Sequence, residues 1–585
     1  MPLFLEELTK AVLEEAAVSS MPGNPLPVPD TLHGSLIARL DRLGSLAKEV
    51  AQVGAAIGRQ FSFELLAGVA TQDEPELQVA INTLIEAGLI FQHGVPPQAS
   101  LLFKHALVQD AAHGSLLRSA RKQLHAQIAE ALEAHSPEMM DGQPELFAQH
   151  YAEAGLVEKS VAHWGMAGHR SAARSAMTEA AAQLQKGLDQ LALLPETPER
   201  QRRELELRSA LGAVFMAVKG FAAPDTGNAY ARARELWERL GSPSEYLHIP
   251  YGQSRYHMVR GELDLALRSA EDLLRLSRQR NDAAGLVLGH VSSGRTLIYA
   301  GRFAAARAHL EEVLALYDPI LHRSLMYQAG YDPRVLIQAH SGIVLLCLGF
   351  PDQALARTNA AIAEARKLAH QPYLALSLTG GARLLSLVGD NGALDRRADQ
   401  LGGVAAEQGF PQWRAQGALY RGWVEVNNGN MAEGISLLRS GSTAYRATGA
   451  EAWVPHHIAL LARACDIAGQ LQEALTLTED ASQIAGRTGE HWLDAELNRY
   501  KGQLLLRQGH TEAAEELYRK ALSIAAEQEA KLWELRAAAS LARLWGQQGR
   551  REEARDLLSP VYGWFTEGFD TPDLKEAKAL LDTLL

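Results

Sequence analysis

From about residue 145 to the C-terminus, apolar side chains recur at the three- and four-residue spacing of amphipathic helices, as in Leu263, Leu267, Ala270 and Leu274. Breaks divide these runs at a constant interval. Gly261, Gly301, Gly349, Gly389, Gly429, Gly469, Gly509 and Gly549 are separated by 40, 48, 40, 40, 40, 40 and 40 residues. Five residues after each glycine stand Ala266, Ala306, Ala354, Leu394, Gly434, Ala474, Ala514 and Ala554. Seven residues before each stand Ser254, Gly294, Gly342, Ala382, Gly422, Ala462, Gly502 and Ala542, so that only Leu394 in the two sets is large. A small residue on each of two helices lets their backbones approach closely, and a glycine between them supplies the left-handed C-cap. The pattern predicts a helix, a tight turn and a second helix, with neighbouring pairs stacked because none can bury its apolar face alone. Trp413, Trp453, Trp492 and Trp533 fall near one position of the first helix in the last four units and mark the same register.

The single 48-residue spacing locates an insertion, DPILHRSLMYQAGYDP at 318–333, whose prolines predict a protruding loop or an extended connection. Residues 136–240 read as less regular helical pairs, for example 157–173 with 176–192, with breaks at PETPERQ (195–201) and KGFAAPDT (219–226). The regular repeats occupy 241–570. Over 571–585, Thr571 is the expected N-cap and Pro572 the first residue of a helix that covers the last repeat. Ahead of the repeats, PGNPLPVPD (22–30) reads as a linker. Over 31–135, helical patterns at 31–43, 45–57, 62–70 and 74–87 precede two short strands, LIFQ (89–92) and LLFK (101–104). Helices followed by a β-wing give the order of a winged-helix domain. The predicted fold class is all-α, a helical-repeat superhelix preceded by a small winged-helix domain.

The turn glycine with its flanking small residues resembles the tetratricopeptide (TPR) repeat, although units of 40 residues exceed that family's usual length and imply longer helices. The first fifteen residues, MPLFLEELTKAVLEE, resemble the phrase GNPLF-x-EEL that closes the nucleotide-binding domain of STAND-class signalling ATPases, here without its leading Gly-Asn. VPDTLHGSLIARLDRL, IGRQFSFELLAGVA, LLFKHALVQDAAHGSLLRSARKQLHAQIAEAL and YGWFTEGFDTPDLKEAKALLDTLL are similar to segments of one bacterial family. Its members join a class III adenylate/guanylate cyclase domain, a STAND-type ATPase domain and C-terminal TPR repeats. The resemblance covers essentially the whole chain but only the C-terminal half of that architecture. It implies that residues 1–21 are a remnant helix of a nucleotide-binding domain, and that a separate ATPase or cyclase domain is a partner.

Chemistry adds mainly exclusions. No Gly-Lys-Ser or Gly-Lys-Thr is present to form a phosphate-binding loop, and no HExxH, CxxC or GxSxG occurs. The expectation is therefore no enzyme and no cofactor. A formal charge of −12 disfavours nucleic acid, and the helix that would enter a DNA groove carries Glu74, Glu76 and Glu86 without Lys or Arg. No run of about 18 apolar residues predicts a membrane span, and the N-terminus lacks a secretory pattern. Cys347 and Cys465 lie in apolar helical patterns and read as buried thiols, so the expected location is cytoplasmic. His456 and His457, being adjacent, point in different directions on a helix and read as surface or packing residues. His105 and His113 read as packing against the winged-helix core.

One pattern rises above this background. Six residues before the turn glycines stand Arg255, Arg295, Ile343, Arg383, Trp423, Arg463, Gln503 and Arg543. In the TPR family that position faces the concave groove, so five arginines in register imply a basic stripe for an acidic peptide or phosphorylated ligand. The alternative is a ladder paired with Glu or Asp of the adjacent repeat. Tyr299, Trp423, Arg499 and Arg507 are expected on or near the same surface. The functional expectation is a non-catalytic regulatory module of a cyclase/ATPase signalling protein, binding a protein, peptide or small effector on the concave face. A free-standing TPR adaptor and a fragment of an ATPase–TPR transcription regulator remain the alternatives.

Overall fold

The computed structural model describes residues 32–135, 138–322, 325 and 332–584; the expected remnant helix, the 22–30 linker and the body of the 318–333 insertion lie outside the described residues. The chain divides into two compact units, the first running to Gly168 with Gln185–Pro195, the second comprising His169–Leu184 and the chain from Glu196 onward.

In the first unit, α1 (Leu32–Arg42), α2 (Ser45–Ile57), α3 (Phe63–Val69) and α4 (Glu74–Glu86) accompany β1 (Gln60–Ser62), β2 (Ile90–His93) and β3 (Ser100–Phe103). The strands form an antiparallel sheet in the order β1-β3-β2. β2 and β3 lie within one residue of the two strands expected at 89–92 and 101–104, whereas β1 has no counterpart in the sequence reading because three residues carry too little alternation. Caps set the helix starts: the Ser62 hydroxyl accepts from Leu65 N–H at 3.1 Å and Asp73 from Glu76 N–H at 2.9 Å. Leu66, Leu77, Ile81, Leu101 and Phe103 fill the core. Next come α5 (Ala106–Gly114), α6 (Arg118–His135), α7 (Glu138–Gly142) and α8 (Pro144–Ala154). His105 is the N-cap residue of α5 without a side-chain cap. His113 is half-buried, with its Nε2 facing His125 Nε2 at 3.1 Å, and His125 Nδ1 faces His150 Nδ1 at 2.9 Å. Burial, reinforced by its neighbours' charge, lowers His125 to about 3, and burial lowers His150 to about 4, so both rings are neutral at physiological pH.

The second unit is the repeat array, a TPR-like superhelix of paired helices such as Pro411–Asn427 with Met431–Ala447 and Lys531–Gln547 with Arg551–Gly563. All eight period-marking glycines have φ between 71° and 92°, the left-handed turn that the spacing predicts. The small residues meet at the crossings. A Cβ on Gly422 would lie 2.7 Å from the Gly434 carbonyl oxygen, and the reverse contact is the same. A second register ends the second helices, where Gly241, Gly409, Gly449 and Gly489 share positive φ with Asn281, Ala369 and Glu529.

Successive turns of the superhelix touch at separations of about 200 residues, or about five repeats. Phe221 N–H donates to Gln412 Oε1 at 3.2 Å, across 191 residues. The Glu451 and Ala452 N–H groups both donate to the Val259 carbonyl at 2.9 Å. Glu567 accepts from Asp352 and Gln353 N–H at 2.9 and 3.0 Å, capping the helix Pro351–Lys367, while Gly568 N–H donates to Asp352 Oδ2 at 3.0 Å. At the base of the insertion, Tyr317 donates to Asp332 at 2.8 Å, and Asp332 caps the helix Pro333–Cys347. The C-terminal helix Pro572–Leu584 covers the last repeat with Leu574, Ala577 and Leu584. Thr571 stands at the expected N-cap position before Pro572, its carbonyl accepting from Lys575 N–H at 3.1 Å and its hydroxyl donating back to the Gly568 carbonyl at 2.7 Å. Cys347 and Cys465 are both buried free thiols.

Candidate functional site

Helix geometry brings every member of the arginine register to the superhelix axis. Where adjacent superhelical turns are in contact, the inner face is filled: Arg255, Arg295, Ile343 and Arg383 are buried. Arg255, 2% exposed, lies over the Phe221 and Tyr251 rings at 5.0 and 5.4 Å. Arg295 donates from Nε to His340 Nε2 at 3.3 Å. Arg383 stacks on Trp453, with its guanidinium carbon 3.5 Å from the ring centroid, and Tyr299 packs against the same ring at 4.8 Å. Arg255 and Arg383 are held against aromatic faces, where the ring quadrupole offsets part of the loss of water. Only about 50 Å³ of space remains between Arg295, Tyr299, Arg383, Gln412 and Trp453.

Burial also governs the ionisable groups of this plugged segment. Glu490 accepts from Trp453 N–H at 2.9 Å and from Trp492 Nε1–H at 2.8 Å, yet desolvation dominates and pushes its carboxyl up to about 8. His456 and His457 are packing residues: both are buried, His457 edge-on to Tyr445 at 4.8 Å and His456 against Trp492 at 5.7 Å. Desolvation drives His456 well below the usual imidazole range and His457 to about 3.

Beyond this plug the axis widens into a cavity of about 360 Å³. Its wall takes side chains from successive first helices, including Trp423, Arg463, Arg499 and Arg543, and is completed where Pro572 and Asp573 of the C-terminal helix meet Leu387–Gly389. One superhelical turn thus closes around it. Arg499 forms a bidentate pair with Glu496 at 2.7 and 2.9 Å. Arg536 pairs with Asp573 at 2.8 and 2.9 Å and donates to the Leu387 carbonyl at 2.7 Å, joining the two ends of the turn. Arg543 reaches Glu576 at 2.5 Å. Arg463 has its guanidinium 5.2 Å from the centroid of the Trp423 ring and, among the described residues, no carboxylate within ion-pair distance. Arg507 points elsewhere and pairs with Asp466.

The register therefore splits. Arg255, Arg295, Tyr299 and Arg383 belong to the filled segment, whereas Trp423, Arg463, Arg499 and Arg543 share the cavity. The sequence reading misses Glu496, Arg536, Asp573 and Glu576. A signal for the first two exists: thirteen residues before the turn glycines stand His248, Leu288, Leu336 and Leu376 in the first four repeats, but Gln416, His456, Glu496 and Arg536, all polar, in the last four. That position lies two helical turns from the arginine register on the same face.

Among the described residues, no cluster of three or more metal-binding side chains is present and no helix is long and apolar enough to cross a membrane. Residues 535–560 match the tetratricopeptide repeat family. An uncharacterized protein of Rhizobium meliloti (strain 1021) is 26% identical over 529 residues, spanning 88% of this chain; the chain in turn spans half the length of that relative. A STAND protein with a tetratricopeptide repeat sensor from Pyrococcus horikoshii is similar over 99% of this chain and 74% of its own, with 12% identity and a TM-score of 0.30. A Rap protein complexed with competence and sporulation factor is similar over 58% of this chain and 98% of its own, with 13% identity and a TM-score of 0.40.

Proposed function

We propose that this chain is the non-catalytic regulatory and protein-interaction module of a cyclase/ATPase signalling protein, with the TPR-like solenoid receiving a partner or effector. The observation that carries the reading is the closed superhelical turn. Its last repeats and C-terminal helix form a continuous wall held shut by a few polar contacts, notably Glu567 on the helix Pro351–Lys367 and Arg536 on Leu387. A ligand that prefers the open or the closed turn would shift the balance between them, and a joined catalytic domain would sense that shift. The GNPLF-like phrase at the N-terminus and the match to half of a longer relative support such a junction.

The test is twofold. The purified chain should neither turn over ATP nor form cyclic nucleotide, and micromolar ATP affinity or any cyclase turnover would overturn the reading. The DNA immediately upstream of Met1 should encode, in frame, the missing Gly-Asn and a phosphate-loop ATPase. Unrelated sequence there would favour a free-standing adaptor.

A further inference from the structure

We infer that the axial cavity is a binding site for a small organic anion, with Arg463 as its principal ligand and Trp423 as the platform beneath the guanidinium. The inference is independent of the signalling reading, since a solenoid with any output could carry such a site.

Charge balance leads to it. Four arginines line the cavity, Arg463, Arg499, Arg536 and Arg543, but only three carboxylates, Glu496, Asp573 and Glu576. Each carboxylate is already engaged by one of the other three arginines. Arg499, Arg536 and Arg463 together hold Glu496 ionised against its burial, at about 2. One positive charge is left over, and it resides on Arg463. Burial there lowers the pKa of the guanidinium, the mark of a desolvated cation whose counter-charge is incomplete. An anion entering the cavity would complete the set.

Size and lining define the class of ligand. About 360 Å³ sits at the lower end of the range for small-molecule sites, roughly 300–1,000 Å³, and is too small for a folded partner. Asn427, Gln503 and Ser540 on the wall offer neutral hydrogen bonds, so the rest of the ligand is polar and uncharged. The planar guanidinium fork suits an oxyanion with two oxygens, whether carboxylate or phosphate.

Inorganic phosphate and acetate serve as probes, each titrated calorimetrically into the full chain against chloride at constant ionic strength. Saturable binding of at least one is expected, weakened at least tenfold by Arg463→Gln. Arg507→Gln, whose arginine pairs with Asp466 away from the cavity, should change it less than threefold. Stronger phosphate binding assigns a phosphorylated ligand and stronger acetate binding a carboxylate. A second measurement needs no variant: phosphate should protect Arg463 of the unaltered chain from phenylglyoxal, as read by peptide mass spectrometry. Binding of neither probe, undiminished binding by a folded Arg463→Gln chain, or reaction of Arg463 without protection would each overturn the site.

Discussion

At the scale of single residues, the end of the second helix in each repeat shows the cost of departing from glycine. Gly409, Gly449 and Gly489 occupy this left-handed position freely, but Glu529 adopts the same conformation at φ 56° and Ala369 at φ 50°. A side chain there costs about 1–2 kcal/mol, and replacing it with glycine gives back about 0.4–1 kcal/mol through the looser unfolded chain. Glu529→Gly should therefore raise stability by about 0.5 kcal/mol. A rise in the urea midpoint with an unchanged slope is the expected reading; a fall would show that Glu529 makes a contribution beyond its backbone. The arginine register illustrates what is legible at this scale. Position and spacing were enough to place Arg255 through Arg543 on one inward face. They could not tell that Arg383 stacks on Trp453 while Arg463 faces a cavity, because those surroundings come from residues about 70 to 110 positions away.

Between elements, the period-marking glycines look equivalent in sequence and are not equivalent in space. All eight need positive φ, but those early in the array also lie against the next superhelical turn. A Cβ on Gly261 would meet Thr488 Cγ2 at 2.6 Å, and one on Gly349 would meet Trp564 at 2.5 Å; one on Gly429, Gly469, Gly509 or Gly549 would meet nothing within 4 Å. Gly469→Ala should thus cost only the conformational penalty, about 1–2 kcal/mol. Gly261→Ala should cost a further 1–3 kcal/mol for displacing Thr488, which is buried on the helix Leu471–Thr488. Denaturation midpoints of the two variants compare the terms directly, and equal losses would mean that the turns do not press on each other in solution. Helix positions and the repeat period were readable because propensity, small-residue spacing and turn chemistry agree locally. The contact between superhelical turns was not, since no local pattern records which glycine a later helix will cover.

For the repeat unit as a whole, contact between turns changes the expected stability behaviour. An open solenoid couples only neighbouring repeats; here Phe221 with Gln412 and Asp352 with Glu567 link repeats a full turn apart, so distant segments share one polar interior. That interior should give stability a pH optimum. His248 is lowered to about 4 and His457 to about 3 by burial, and His340 and His456 fall well below the ordinary value for the same first cause. Above about pH 6.5 these rings are neutral in both states; below it the unfolded chain takes up protons that the folded interior refuses. Their contribution is therefore lost as pH falls toward 4. Glu490 has the opposite sign. With a folded value raised to about 8, it favours the fold while protonated, and that advantage declines as pH rises from the ordinary carboxyl range through 8. Four histidines outweigh one carboxyl on the acid side, so the urea midpoint should climb to about pH 6.5 and then fall until about pH 8, above which Glu490 is ionised in both states. Glu490→Gln keeps an oxygen acceptor for the Trp453 and Trp492 N–H groups and removes the titration, so it should flatten the alkaline fall by a few kcal/mol, roughly 1.4 for each pH unit abolished, while leaving the acid limb in place. An alkaline decline that persists in this variant would assign the loss to another group and free Glu490 from the role its burial implies.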